Sequence, residues 1–277
     1  MTTWFITGIS RGLGRAIAEA ALADGDTVVG TVRTGPPSLA HERGTLHILT
    51  ADLADGAAAR ACVAEAFKRF GHIDVIVNNA GYGLLGALES ATEAEVERLF
   101  AVDVFAPFHI IREALPHLRR QESGHIVNIT SIAGRAPSTG SAMYSAAKSA
   151  LEGLSAGLAL EVAPLGIKVT AVAPGAFRTD FLSSHSIRKS GAADAAYAET
   201  IGRSGAAFDA AAGRQAGDPA RAAQAIIALV QSANPPLHLL LGSDALRRAR
   251  TKLDQVVDEM GAWEAVTRST DFGGEEQ

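Results

Sequence analysis

The 277-residue chain carries 30 acidic and 25 basic residues, a formal charge of −5; it offers no general basic field, which excludes nucleic acid and anionic membrane surfaces as main partners. The length suits one large α/β domain whose core needs no staples. The single cysteine, Cys62, excludes an internal disulfide framework, suits a reducing compartment, and is expected to be a packed thiol rather than a reactive one.

In chain order, short apolar runs alternate with longer helical patterns. WFIT (4–7) leads through TGISRGLG into a helical pattern over 12–24. The strands TVVGTV (27–32) and LHILT (46–50) follow, then a helix over 55–70 and the strand DVIVN (74–78). A helical stretch over 92–120, broken near Pro107, precedes the strand HIVNIT (125–130), a helix over 141–164 and the strand KVTAVA (168–173). A helix over 218–232 and the strand LHLLL (237–241) complete the series. Most strands are nearly continuous in apolar character, as a parallel sheet covered on both faces requires. The alternation predicts right-handed crossovers and a doubly wound, seven-stranded α/β domain with helices on both faces, a single domain spanning 1–277.

Residues 177–217 break this rhythm: they are rich in Ala, Gly and Ser and contain no clear strand. They read as a substrate lid, with partial disorder as the alternative. Residues 244–260 predict a charged helix, and the tail TRSTDFGGEEQ within 244–277 an irregular end. Strand-like residues begin at Thr3 and no apolar run reaches the roughly 18 residues of a membrane span, so the expected location is cytoplasmic with no membrane partner. The eight histidines lack paired spacing, and no metal site is expected.

Three glycines, Gly8, Gly12 and Gly14, stand between the first strand and the first helix. Glycine permits a tight turn and lets phosphates reach backbone N–H groups, and the helix directs its positive end to the same place. TGISRGLG therefore reads as a dinucleotide pyrophosphate site; a purely structural turn is the alternative. After the second strand, where an NAD site often carries a carboxylate, stand Val32 and Arg33. Arg33 and Arg11 can grip a 2′-phosphate through charge-assisted forks, which favours NADP(H) over NAD(H), unless both are merely solvated.

YSAAK places Tyr144 and Lys148 four residues apart, on one helix face. An ammonium beside a phenol favours the phenolate, and lowering that pKa by about three units needs roughly 4 kcal/mol, which one lysine plus a nicotinamide's positive charge can supply in a dry cleft. Ser131 ends the strand HIVNIT, at the sheet edge where open α/β folds bind ligands. Its hydroxyl can orient a substrate carbonyl while Tyr144 supplies the proton, or it can simply cap a turn.

TGISRGLG, NNAG (78–81), ITS ending at Ser131, YSAAK and PGAFRTD (174–180) occur in an order that resembles the short-chain dehydrogenase/reductase family over about residues 3–242. The resemblance implies a Rossmann-type domain that binds a nicotinamide cofactor and interconverts an alcohol and a carbonyl compound. It implies that Tyr144 is the acid/base, that Lys148 binds the nicotinamide ribose and lowers the tyrosine pKa, and that Ser131 orients substrate. Gly8, Ser10, Arg11, Gly12 and Leu13 match the phosphate turn. Asp52, followed by Leu53, matches the adenine-binding acid; Asn79, Ala80 and Gly81 match the adenosine-ribose loop; Pro174, Gly175 and Thr179 match the nicotinamide segment. Asp103 stands where the family usually has the asparagine of a proton relay, twenty-eight residues before Ser131. In the family picture the relay water is held by the main-chain carbonyl there, at a local irregularity of the helix.

The expected function is therefore NADP(H)-dependent hydride exchange between a secondary alcohol and a ketone or aldehyde. A non-catalytic NADP(H)-sensing or scaffold protein, or an isomerase or dehydratase, is the competing reading. Phe177, Phe181, Leu182, Tyr197 and Phe208, with Tyr82, Leu84 and Leu85 opposite, predict an apolar pocket for a small-molecule carbonyl substrate, or else simple packing of the insertion. By the resemblance, the YSAAK helix often pairs with its copy. Its small residues Ala146, Ala147, Ala150, Gly153 and Gly157 suit a homodimer or homotetramer, though they equally suit packing on the sheet.

Overall fold

The computed structural model describes residues 1–35, 37, 39, 43–183, 186–191 and 194–272. All seven expected strands form one parallel sheet: β1 (Thr3–Ile6), β2 (Thr27–Val32), β3 (Thr45–Thr50), β4 (Val75–Asn78), β6 (Gly124–Ile129), β7 (Ile167–Pro174) and β9 (His238–Leu241), in the order β3-β2-β1-β4-β6-β7-β9. The winding reverses between β1 and β4, which opens a crevice at the carboxyl ends of those strands. Side chains alternate across the sheet with period two. Trp4, Ile6 and Val28 meet α1 (Gly12–Ala23) and α7 (Pro219–Gln231) on one face. Phe5, Val29 and Ile126 meet α2 (Gly56–Phe70), α4 (Ala106–Gln121) and α5 (Ala142–Val162) on the other.

Local signals set the helix starts. Asp55 caps α2 by accepting the Ala57 N–H at 2.8 Å, and Asp218 caps α7 likewise through Ala220 at 2.8 Å, with Pro219 as its first residue. Thr92 and Glu95 form a reciprocal capping box on α3 (Glu93–Phe100). The break expected near Pro107 is a π-helical turn, Ala101–Phe105, joining α3 to α4. Pro107 has no N–H to give the Asp103 carbonyl four residues back, so the α-helical ladder cannot run through and the turn widens.

Three expectations need correction. The 177–217 insertion does contain a strand: β8 (Ile187–Lys189) pairs in parallel with β5 (Gly83–Leu85). Three residues are too few to show a period, so the strand was invisible in the sequence. The insertion also carries α6 (Arg203–Ala211), and its two ends are tied by the Arg178 N–H to the Gly217 carbonyl at 2.8 Å and the Gly217 N–H to the Ala176 carbonyl at 3.0 Å. Its residues 184, 185, 192 and 193 lie outside the described residues. The C-terminal helix α8 (Ser243–Arg268) runs well past residue 260 and takes in the start of the expected irregular tail, assisted by the Arg268–Glu264 pair at 2.7 Å. Residues 273–277 of that tail lie outside the described residues. Finally, Ala147 packs inward, while Ala146, Ala150, Gly153 and Gly157 are exposed on α5. Among the described residues, no helix is long and apolar enough to cross a membrane.

His125 at the start of the buried sheet yields a stability prediction. Thr170 donates its hydroxyl to the Pro236 carbonyl at 2.8 Å, so it accepts from His125 Nε2–H at 3.0 Å; Nδ1 is buried without a hydrogen-bond partner. Burial, and then the nearby Lys168 charge, lower the imidazole pKa from 6.5 to about 4. Between these values the unfolded chain binds the proton and the folded chain does not, so stability falls as pH drops through the interval. Urea unfolding at about pH 7 and about pH 4 should show the parent losing about 3 kcal/mol more than His125→Gln, at 1.36 kcal/mol per pH unit. Equal losses would refute the assignment.

Candidate active site

A cleft of about 820 Å³ opens at the carboxyl edge of the sheet. Its floor at one end is the glycine turn, where Gly8 (φ 73°) and Gly12 (φ 62°) hold left-handed conformations that suit glycine. Gly14 serves packing instead: a Cβ there would fall 2.2 Å from Asn79 Nδ2 and 2.4 Å from the Gly8 carbonyl oxygen. The turn and the NNAG loop are fastened by Thr7, which the sequence reading missed. Its hydroxyl accepts the N–H groups of Asn79 and Ala80, both at 2.9 Å, and Asn79 Nδ2 donates to the carbonyls of Thr7 (2.9 Å) and Gly8 (3.2 Å). Asn78 belongs to the core, where it donates to Asn128 at 2.8 Å.

The cradle fits a pyrophosphate. First-turn N–H groups such as those of Gly12 and Leu13 have no helical carbonyl behind them. A Cβ on Gly12 would stand only 3.8 Å from the Thr179 Cβ on the opposite wall, in the space a phosphate chain needs. Arg11, Arg33, Asp52 and Leu53 line the same end. Asp52 accepts from Arg98 Nη2 at 2.9 Å and from the Ala54 N–H at 3.1 Å. The Arg98 hydrogen bond holds its carboxyl below the ordinary range. Arg98 sits on α3, among acidic residues that gave no sign of its role.

At the other end, Pro174, Gly175 and Thr179 form a turn after β7. Asp244, also missed, reaches it from the first turn of α8 and accepts the Ala176 N–H at 2.9 Å. Gly175 is required for that approach, because a Cβ would lie 2.3 Å from the Asp244 carboxylate. The Thr179 hydroxyl accepts the Phe181 N–H at 3.2 Å.

Between these ends, Ser131, two residues past β6, and Tyr144 and Lys148 from α5 line the cleft, and the Asp103 carboxylate is buried behind them. Lys148 Nζ is 3.1 Å from Asp103 Oδ2, donates to the Ile129 carbonyl at 3.2 Å and lies 5.9 Å from the Tyr144 ring centre. Asp103 Oδ1 accepts the Tyr82 N–H at 3.1 Å. Gly81 makes room for the pair: a Cβ would meet Asp103 Oδ2 at 2.8 Å. Ser131 accepts the Ala133 N–H at 3.1 Å and its side chain favours ionisation of the Tyr144 phenol, so turn cap and site hydroxyl are one group.

Without a nicotinamide's positive charge, the protein's own groups do not acidify the phenol. In the protein alone the Tyr144 pKa is raised above 10: burial is the largest cause, Lys148 opposes it, Asp103 adds to it and Ser131 opposes it again. The ammonium that was to acidify the phenol is already matched by a carboxylate. Burial also lowers Lys148, but Asp103 and then Tyr144 outweigh it, and the net shift is upward; Lys148 is an ammonium at neutral pH. Burial raises Asp103 against the pull of Lys148.

Every residue the sequence assigned to catalysis or cofactor binding, except Asp103, lines this one cleft. Phe177, Phe181, Leu182, Phe208, Tyr82 and Leu85 also line it. Leu84 does not; it packs inward against Leu99 and Tyr144. Tyr197 instead faces a separate hollow of about 360 Å³ beneath the insertion. Gln215 lines the main cleft with both side-chain polar atoms buried and without a hydrogen-bond partner. Among the described residues, no group of His, Cys, Asp and Glu could hold a metal ion.

The family profile "short chain dehydrogenase" matches residues 2–189. The 3-ketodihydrosphingosine reductase of Bacteroides thetaiotaomicron is 35% identical over 237 residues, covering 86% of this chain and 86% of that protein. A short-chain dehydrogenase from Streptomyces avermitilis superposes with a TM-score of 0.88 at 41% identity, covering 98% of this chain and 100% of that one. A metagenomic short-chain oxidoreductase solved with NADP superposes with a TM-score of 0.66 at 27% identity, over 87% and 96% of the two chains. With the seven-stranded parallel sheet and the match over most of its length, the chain belongs to the short-chain dehydrogenase/reductase family of oxidoreductases.

Proposed function

We propose that the protein is an NADP(H)-dependent reductase of an apolar ketone or aldehyde, with Tyr144 as the acid. The observation that carries this reading is the convergence of Ser131, Tyr144 and Lys148 in a cleft whose far end is a phosphate cradle. The nicotinamide, when bound, supplies or accepts the hydride. Ser131 and Tyr144 bind the substrate oxygen and Tyr144 delivers its phenolic proton to it. Lys148, fixed as a cation by Asp103, stabilises the phenolate left behind and is positioned toward the cofactor ribose. Burial of Tyr144 and the phenyl ring of Phe181, 6.0 Å away, exclude water. A phenol with a raised pKa is protonated at neutral pH, which favours reduction; alcohol oxidation, which needs the phenolate, should accelerate into the alkaline range.

Phe177, Phe181, Leu182 and Phe208 support an apolar substrate, and the lipid ketone named for the Bacteroides relative is consistent with that class. Arg33 and Arg11 support the choice of NADP(H). Arg33→Ala should weaken NADPH binding about 10- to 100-fold, as expected for charge-assisted hydrogen bonds of about 1.5–3 kcal/mol, with NADH binding unchanged; titration calorimetry with both cofactors decides it. Equal losses for both would remove the 2′-phosphate assignment.

Asp103 is proposed to modulate this chemistry. Because it raises the Tyr144 pKa, Asp103→Asn should move the alkaline limb of the rate profile to lower pH. Turnover should stay within about tenfold of the parent, about 1.4 kcal/mol in the barrier. A hundredfold rise would mean that the carboxylate had impaired the relay.

A further inference from the structure

The first two turns of α8 are anchored, with Ala245 and Ala249 buried against Ile132, Ala136 and Leu240 and Arg248 donating to the Ala136 carbonyl. Beyond them the helix leaves the domain. From Leu253 to Arg268 every residue is exposed except half-buried Val256, a length of about 24 Å at 1.5 Å per residue. This projecting stretch is not polar: Leu253, Val257, Met260 and Trp263 are each 64–66% exposed. With Leu246 they recur at intervals of seven, four, three and three residues, which place them along one side of a helix. A helix with such a stripe and no support is marginal alone.

Its charges are segregated. Within α8, Arg247, Arg248, Arg250 and Lys252 outweigh Asp244 up to residue 252, and Asp254, Asp258, Glu259 and Glu264 outweigh Arg268 beyond it. Asp244 in the first turn and Arg268 in the last suit the helix macrodipole, but the four bases and four acids between them run in the opposite order, which does not serve the isolated helix. A second α8 laid antiparallel reverses both the charges and the dipole. In a pair centred between Leu253 and Val257, the tip bearing Glu259 and Glu264 of each copy lies over Arg247 and Arg250 of the other. Met260 and Trp263 then cover Leu246 and Leu253. The contact is self-complementary about a two-fold axis and closes after two copies. Parallel pairing would set like charges together, and an anionic bilayer would repel the acidic tip.

We infer that α8 is a self-association surface, on which two copies of this chain pair antiparallel through the Leu246–Trp263 stripe. The surface is separate from the exposed small-residue face of α5, so the test needs a readout specific to α8, and Trp263 provides it. The chain has two tryptophans, and the other, Trp4, is already buried at 1% exposure.

In the full-length protein, acrylamide quenching of Trp263 should weaken as concentration rises, in step with the mass gained in sedimentation velocity. The double variants Arg247→Glu/Arg250→Glu and Glu259→Arg/Glu264→Arg should each lose this association, with helix content by circular dichroism retained. An equimolar mixture of the two should regain it, because acid and base then face each other across both halves of the pair. Concentration-independent quenching, unchanged association in either variant, or a mixture that stays dissociated would overturn the inference.

Discussion

Tyr144→Phe should reduce ketone turnover by at least about 10³-fold, more than about 4 kcal/mol in the barrier, while NADPH binding changes by less than about twofold. The substitution removes one oxygen and leaves the ring, its packing on Phe181 and the buried environment intact. Ser131 still offers its hydroxyl to a substrate oxygen, so substrate binding is weakened rather than abolished. What is lost is the proton donor of the proposed mechanism, and Lys148, 3.1 Å from Asp103 and donating to the Ile129 carbonyl, is not placed to replace it. Stopped-flow reduction alongside fluorescence titration of NADPH separates the two effects. Parental turnover in this variant would remove Tyr144 from the chemistry, and lost NADPH binding would make it a structural residue.

The second large effect concerns stability as much as rate. Lys148→Met leaves the wholly buried Asp103 carboxylate with the Tyr82 N–H as its remaining hydrogen-bond donor. Breaking a buried ion pair from one side costs about 3–5 kcal/mol, which for a chain of this size lowers the melting temperature by on the order of 10 °C. The sign of the pH dependence follows. Without the ammonium, burial pushes the folded-state pKa of Asp103 still further above its unfolded value of 3.8. Stability is then retained in acid, where the carboxyl is neutral in both states, and lost as pH rises through the folded pKa. The double variant Lys148→Met/Asp103→Asn removes the orphaned charge and should recover most of the melting temperature without recovering turnover. Recovery of neither would show that the pair is not what holds this region together.

The fold was legible because its strands are buried on both faces. WFIT and DVIVN each carry three consecutive apolar residues, Trp4–Ile6 and Val75–Val77, and neither depends on a distant partner to be read. The glycine turn and YSAAK are likewise local, since each states its geometry within four or five residues. What escaped was set by residues far apart in the chain. Thr7 is unremarkable until Asn79 and Ala80 come to its hydroxyl, Arg98 until it meets Asp52, and Asp244 until α8 carries it to Gly175. β8 needed β5 to become a strand at all. The groups that oppose Lys148 at Tyr144 were hidden for the same reason: YSAAK shows the neighbouring ammonium, but the opposing carboxylate arrives from a π-turn forty-one residues earlier. In addition, burial, the largest contribution, is a property of the whole domain.

The most direct test of the central claim follows the hydride and the proton together. NADPH deuterated at C4 is incubated with the protein and a series of apolar ketones, and the alcohol product is analysed by mass spectrometry and NMR. The account predicts deuterium at the carbinol carbon from one face of the ring only, with one NADPH consumed per alcohol, and none of this in Tyr144→Phe. Intact NADPH binding without deuterium transfer to any ketone, or product formed with no net oxidation of NADPH, would contradict it.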